Sequence, residues 1–419
     1  MSSTNNMYWL YMVLDSLLNL VLVTFAWSVY LPSKYYQQPS TELTNSSMDD
    51  TMGLFDFLRR DNSQSYSEIE IKQRWAYQTN GSIKDRNSSS VDSYAALIST
   101  NSFENWFFGL EQRIGQSLGR RLAHAALEHE EYMLKNSRLK PPSGSEMKNW
   151  SQYNLGWHTR GLGEFRKLDD EDEIKLIIDK PASTSVCSGI IASAWEIATK
   201  KRHRFVWSQN TRDALIVSLQ LDEKEIPSPS MIETFWPFSS IESEDLEIAE
   251  RIWEDLRIES NGYWSILNER HMILHRDLFL RFEEYCLPYI TKLESGRENF
   301  VWPIEDEKRI LWWTALADSV RKSTYDSGLH ILVSKPEDWI AIGRRHLAMN
   351  GLGGVESVKE LDPHGGVEIY LSSIFHPAVS GGILLACWER AYGRQGKIEF
   401  SFNSGAVSVI LSSSVEIAN

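Results

Sequence analysis

The dipeptide Trp-Glu occurs at Trp195-Glu196 and again at Trp388-Glu389, each inside an apolar run, where an indole wall and a carboxylate could face a bound molecule. The plainer reading is that each Trp packs its helix on a sheet while each Glu pairs locally or meets solvent. The ligand-binding candidates are Trp157, Trp195, His376, Cys387 and Trp388. The second run carries more weight, because it has His376, Cys387 and several glycines where the first has bulkier or charged residues.

Metal and catalytic chemistry find less support. His271 and His275 are four apart, with Glu269 and Asp277 near. On a helix that spacing puts both rings on one face, able to clamp a metal, but no HExxH accompanies them. His124 and His129, five apart, have poorer geometry. The acidic run from Asp169 to Glu173 lacks EF-hand spacing and reads as a solvated turn. The basic run from Lys200 to Arg204 falls where a helix should end and cations complement its dipole, with anionic lipid or nucleic acid as the sharper alternative. Gly161-Leu162-Gly163 follows a helical pattern and precedes a strand, the reverse of the dinucleotide fingerprint. No GxSxG, no cysteine set beside a histidine and no paired carboxylates in an apolar setting stand out, so no catalytic residue and no metal ligand is assigned.

The elements that must position these residues come in two copies. Residues 189 to 211, GIIASAWEIATKKRHRFVWSQNT, align with 382 to 404, GILLACWERAYGRQGKIEFSFNS. Trp195 pairs with Trp388 at an offset of 388 minus 195, or 193, and the same shift pairs Glu196 with Glu389, Ser208 with Ser401 and Asn210 with Asn403. Both asparagines suit hairpin turns, where Asn tolerates positive φ. Upstream, GLG recurs at Gly161 to Gly163 and Gly351 to Gly353, each followed by two alternating stretches. In the second copy these flank Asp362-Pro363-His364-Gly365-Gly366, a strong turn signal. Each module reads strand, strand, helix, strand, strand, preceded by helical stripes. In the first, Leu110, Ile114, Leu118, Leu122 and Ala126 recur every four residues, with Gly115 and Gly119 on nearly the same side, as one long helix. Residues 242 to 258, 271 to 293 and Ile310 to Val320 supply the stripes before the second.

The chain of 419 residues is long for one core; its 42% hydrophobic and 24% charged residues are those of a globular protein. The net charge of -14 disfavours nucleic acid as a partner. Cys187, Cys286 and Cys387 form no CxxC pair, which points to a reducing, cytoplasmic compartment and to small core residues. Residues 7 to 31 are long enough for a transmembrane helix, which would leave the modules on the cytosolic side; Asp15 and Asn19 weaken that reading. Two alternatives stand beside it: a mistaken extension of a chain that starts at Met52, and a soluble buried helix. The domain plan is a 1-31 anchor, a polar flexible linker over 32-92, a first module over 93-222, a connecting helical segment over 223-264 and a second module over 265-419.

The order helix bundle, GLG, hairpin, helix, hairpin resembles the 4-vinyl reductase domain family, within the ligand-binding fold of nitric-oxide-sensing haem domains and some trafficking adaptors. The resemblance rests on Ile114-Gly115, Leu118-Gly119-Arg120-Arg121, Gly161-Leu162-Gly163 and Gly189, and covers roughly 94 to 220 and, more loosely, 265 to 415. The family often closes its last hairpin with two metal-site cysteines, and both copies here lack them. The resemblance implies an α+β fold of two similar modules, each a helical bundle followed by a four-stranded antiparallel sheet with an inserted helix, and a pocket for a small hydrophobic molecule. The expected function is non-enzymatic binding of such a molecule or of a protein partner, with module packing inside the chain or a homodimer. A ligand-free scaffold or adaptor and an enzyme acting on a tetrapyrrole-like substrate are the alternatives. No cofactor is assigned.

Overall fold

The computed structural model describes residues 67–415 apart from 89–92, 169–172, 212, 225, 238–242 and 404. The expected span over 7–31, the start at Met52 and the linker up to residue 66 lie outside the described residues, as do most of the acidic run and the Asn210 side chain. Among the described residues no helix is long and apolar enough to cross a membrane. The class is α+β.

Helical residues 67–74 lead into β1 (Trp75–Tyr77), β2 (Ile83–Asp85) and β3 (Tyr94–Ser99), an antiparallel meander. This part of the expected linker is folded: Trp75, Tyr77 and Ile83 fall on strands and are buried, and Ile71 is buried in the preceding helical turns. Composition averaged over 32–92 hides that placement. The Ser99 side chain then accepts from Ser102 N and starts α1 (Thr100–Ile114). Gly115 ends it at φ +71°, a left-handed cap that suits glycine, and α2 runs over Gly119–Asn136. The five-residue apolar stripe expected on one helix is therefore divided between two, although every member is buried.

After α3 (Ser151–His158), the first GLG opens β4 (Glu164–Leu168), β5 (Ile174–Asp179), α4 (Thr184–Thr199), β6 (His203–Thr211) and β7 (Ala214–Leu221). These four strands form an antiparallel sheet in the order β4-β5-β7-β6. The same succession follows in α5 (Leu246–Glu254), β8 (Leu256–Ser260), β9 (Tyr263–Ile266), β10 (Glu269–His275), α6 (Arg276–Cys286), the two-residue β11 (Phe300–Val301), α7 (Glu307–Asp326) and α8 (Asp338–His346). It closes with β12 (Gly353–Glu360), β13 (Val367–Ile374), α9 (Pro377–Tyr392), β14 (Gly396–Asn403) and β15 (Ala406–Ser413), a sheet ordered β11-β14-β15-β13-β12. Residues 242–258 and 271–293, expected as helical, each combine a helix with a strand: β-branched and aromatic residues flank the turns at Asn261-Gly262 and Asn268. Three-strand meander, helices, GLG and hairpin-helix-hairpin thus occur twice.

The two runs interlock. β3 pairs antiparallel with β10, giving one six-stranded sheet β1-β2-β3-β10-β9-β8. Leu97 faces Ile273, with Ser99 opposite His271 and Ala95 opposite His275 on either side. A twofold relation through the Leu97/Ile273 pair maps each strand onto the other with an offset of 273 minus 97, or 176. Helices cross between runs: α1 packs on α7, and α6 on α2. Even the turns cross, since Gly163 N donates to Gly262 O (2.8 Å) and Gly353 N to Gly81 O (3.2 Å).

Within each run the sheet is covered by its inserted helix, which is itself roofed by a second helix: α4 by α2, α9 by α7. Burial on both sides explains why α4 and α9 are small and apolar nearly all round. A Cβ on Gly189 would lie 2.0 Å from Ala123 O and one on Gly382 2.4 Å from Ala317 O, so only glycine admits this approach. The equivalent acceptors give a second offset, 317 minus 123, or 194, between α2 and α7.

Candidate functional site

The five candidate side chains are all buried. Trp157 Nε1 donates to Gly163 O (2.8 Å), and its ring lies 5.1 Å from that of Phe165. Trp195 sits 6.0 Å from Trp150 in the same aromatic filling between α4 and its sheet. Trp388 Nε1 donates to Gly365 O (2.7 Å) and its ring meets Tyr392. His376 caps α9: its Nδ1 accepts from Ala378 N (3.2 Å), so Nε2 carries the proton and donates to Glu283 Oε2 (3.1 Å). Burial pushes the Cys387 thiol up to about 12. The structure brings Trp157 and Trp195 to one aromatic cluster. His376 and Trp388 are separated along α9 by twelve residues, about 18 Å at 1.5 Å per residue.

Glu196 and Glu389 accept from the same backbone position, 203 plus 193 being 396, but Glu196 draws its arginine from six residues on and Glu389 from 68 and 92 residues away. Glu196 accepts from His203 N (2.7 Å) and from Arg202 (2.7 Å), inside the basic run. Glu389 accepts from Gly396 N (3.0 Å), Arg321 (2.9 Å) and Arg297. Burial raises the Glu196 pKa against the pull of these donors. His271 and His275 lie on a strand, not a helix; four residues of strand separate them by about 13 Å, too far to share a metal. Among the described residues no group of three or more His, Cys, Asp or Glu is placed to hold a metal ion.

The polar chemistry gathers elsewhere, where α2 meets α6. Asp85 accepts from Arg74 (2.7 Å) and from His275 Nε2 (3.0 Å). The His275 ring lies 5.2 Å from that of His129, whose Nδ1 is 2.8 Å from Asp277 Oδ2, and Asp277 also accepts from Arg281 (2.8 Å). Beside them Glu130 takes Arg160 (2.6 Å) and Tyr153 (2.9 Å). All are nearly inaccessible. Burial lowers the His275 pKa to about 4 and so keeps the ring neutral. Burial would raise Asp277 and Glu130, but His129 and Arg281 hold the first below the usual carboxylate range and Arg160 the second.

A cleft of about 690 Å³ opens between α1 and α7, and its walls include Ser99, Asn101, Asn105, Ser323, Thr324 and Asn350. Offsets of 176 on the strand and α1, 194 on α7 and 190 at GLG (351 minus 161) pair these six with His275, Asp277, Arg281, His129, Glu130 and Arg160 respectively. The cleft is thus the twofold equivalent of the buried ionic network. Where one side has long side chains that fill the space with ion pairs, the other has short hydroxyls and amides that leave it open. Its charged members are mostly tied: Arg113 to Asp318 (2.7 Å) and Lys322 to Asp326 (2.7 Å). Burial lowers His271 and takes His346 to about 4, so both wall histidines are neutral at pH 7. None of the five sequence candidates lines it. The clustered Thr100-Asn101-Ser102 and Asn105 at the start of an otherwise amphipathic helix was the available signal. No protein-family model, curated protein or solved structure matches the chain.

Proposed function

We propose that this is a non-enzymatic binding protein whose ligand site is the α1–α7 cleft, and that its two runs descend from one duplicated module of the 4-vinyl-reductase-like type. The strand-strand-helix-strand-strand order of both sheets supports that resemblance. The observation that carries the function is the contrast between equivalent positions, one packed with ion pairs and the other an open cleft whose walls include amides and hydroxyls. Neutral amides offer donor and acceptor together, which suits a neutral ligand rich in carbonyl, amide or hydroxyl groups. The small hydrophobic ligand expected between helices and sheet has less room, because Trp150, Trp157, Phe165 and Trp195 fill that space in the first run and Trp302, Trp313 and Phe400 pack together in the second. An enzyme reading lacks support in the cleft, where the Ser319 hydroxyl is committed to Trp106 O (2.7 Å) and not to a base. Native mass spectrometry of the full chain, isolated gently, tests the reading. A stoichiometric adduct that disappears in Ser323→Trp supports it; an adduct that persists in that variant places the ligand elsewhere and overturns it. Where no adduct is carried, thermal unfolding against N-acetylglucosamine and acetamide decides, and no shift with either overturns it.

A further inference from the structure

Resting on that reading, we propose that the cleft accepts a neutral, proline-bearing peptide segment of a partner protein, seated as the chain's own residues 226–237 are seated at the equivalent position of the other run. Those residues contain neither helix nor strand and carry Pro227, Pro229 and Pro237. They lie across α2 and α6: Lys135 Nζ donates to Ser228 Oγ (2.8 Å), and Arg281 Nη2 donates to the Ser230 carbonyl (2.7 Å). Phe235 and Trp236 anchor the far end, the first under Arg309 at 3.9 Å and the second against Trp313 with its Nε1 on Ile374 O (3.2 Å). The offsets carry Lys135 to Leu329 and Arg281 to Asn105, and both of those residues line the open cleft. Over Ser228 and Ser230 the ion-paired side is therefore already covered by peptide, whereas the anchors of Phe235 and Trp236, Arg309 and Trp313, map at an offset of 194 to Gly115 and Gly119, outside the cleft.

Shape and chemistry favour the same occupant on the open side. The cleft adjoins a second depression of about 620 Å³ along α8, with His346 in the wall of both, so the surface is elongated and suits a chain. Side-chain amides of Asn101, Asn105 and Asn350 match peptide carbonyl and N–H groups. Phe108, 61% exposed, and Leu329 offer apolar contact at the rim for a hydrophobic anchor. Proline limits the freedom such a segment loses on docking, which favours irregular proline-bearing ligands over flexible ones.

The probe is a fluorescein-labelled, end-capped synthetic peptide with the sequence of residues 226–237 in which Glu233→Gln removes the one charged side chain, titrated against the full chain by fluorescence anisotropy. The expected result is saturable binding that weakens at least tenfold in Ser323→Trp, which fills the cleft. Asn105→Arg, at an exposed position that supplies the counterpart of Arg281, should tighten binding by about tenfold, the scale of a hydrogen bond from a charged donor. Binding that ignores both substitutions, or none to either wild type or Asn105→Arg, overturns the peptide. N-acetylglucosamine and acetamide, followed in parallel by ligand-observed NMR, separate the two failures. If they bind in a Ser323→Trp-sensitive way while the peptide does not, the cleft remains a ligand site and only the peptide is wrong; if they also fail, both readings fall.

Discussion

Phe103 on α1 and Phe279 on α6 meet edge to face with ring centroids 6.5 Å apart, and they are the same position in the two runs, 279 minus 103 being 176. A residue touching its own counterpart marks the twofold axis, and here the axis passes through a buried aromatic contact. Truncating either ring to alanine should cost about 3–5 kcal/mol. Because both substitutions remove the same contact, the double variant should lose about 0.5–1.5 kcal/mol less than the sum of the singles. Urea unfolding of the four proteins measures that coupling, and strict additivity would deny that the pair joins the two runs.

Gly189→Ala and Gly382→Ala should both destabilise. In a helix interior this change ordinarily stabilises by about 1 kcal/mol. Here the added methyl meets the backbone oxygens of Ala123 and Ala317, which cannot swing aside, so overpacking should reverse the sign to a net loss of about 1–3 kcal/mol. A raised melting temperature in either variant would sink the close-packing account.

Stability should fall with acidification in two stages. His275, His158 and His346 have native pKa values lowered to about 4, from burial first in each case. The unfolded chain protonates its histidines near 6.5, so it binds more protons than the native state between about pH 6.5 and 4, and stability is lost as pH falls through that window. Asp277 and Glu130, held below the usual range by His129, Arg281 and Arg160, extend the loss below about pH 4.5. His275 alone should account for about 2–3 kcal/mol of the first stage. His275→Asn should be less stable at pH 7 and show a flatter urea midpoint between pH 6.5 and 4.5; an unchanged slope would mean that the ring is protonated in the native state.

The two inserted helices and their hairpins were legible because their environments are alike: Gly189 and Gly382 admit the same close approach, Glu196 and Glu389 accept from the same backbone N–H, and Trp195 and Trp388 are both buried, so a single offset of 193 holds. The cleft was not legible for the converse reason. Six of its polar wall residues and their buried counterparts occupy the same places but have opposite tasks, filling space with ion pairs or leaving it open, so none of those six types repeats and the offset itself changes to 176, 190 and 194 along the way. The strands β1 and β2 were lost in a polar stretch because three-residue strands give periodicity no run to act on. The helical spacing of His271 and His275 misled, since four residues return to one face on a strand as well.

Crossing of elements between the runs has a consequence for how the chain comes apart. Glu223 and Lys224, just after β7 ends at Leu221, are exposed. A protease site inserted after Glu223 would sever the only covalent link between the runs without touching the β3–β10 ladder, the α1–α7 and α2–α6 packing or the paired glycine turns. Each fragment alone would expose the inner edge of β3 or β10 and the faces of two helices, surfaces that are buried in the whole chain. The cleaved protein should therefore elute as one species in size-exclusion chromatography and separate only in denaturant, while either fragment expressed alone should aggregate. Two folded fragments that part in native buffer would show that the runs are independent modules and that the twofold sheet is not what holds them together.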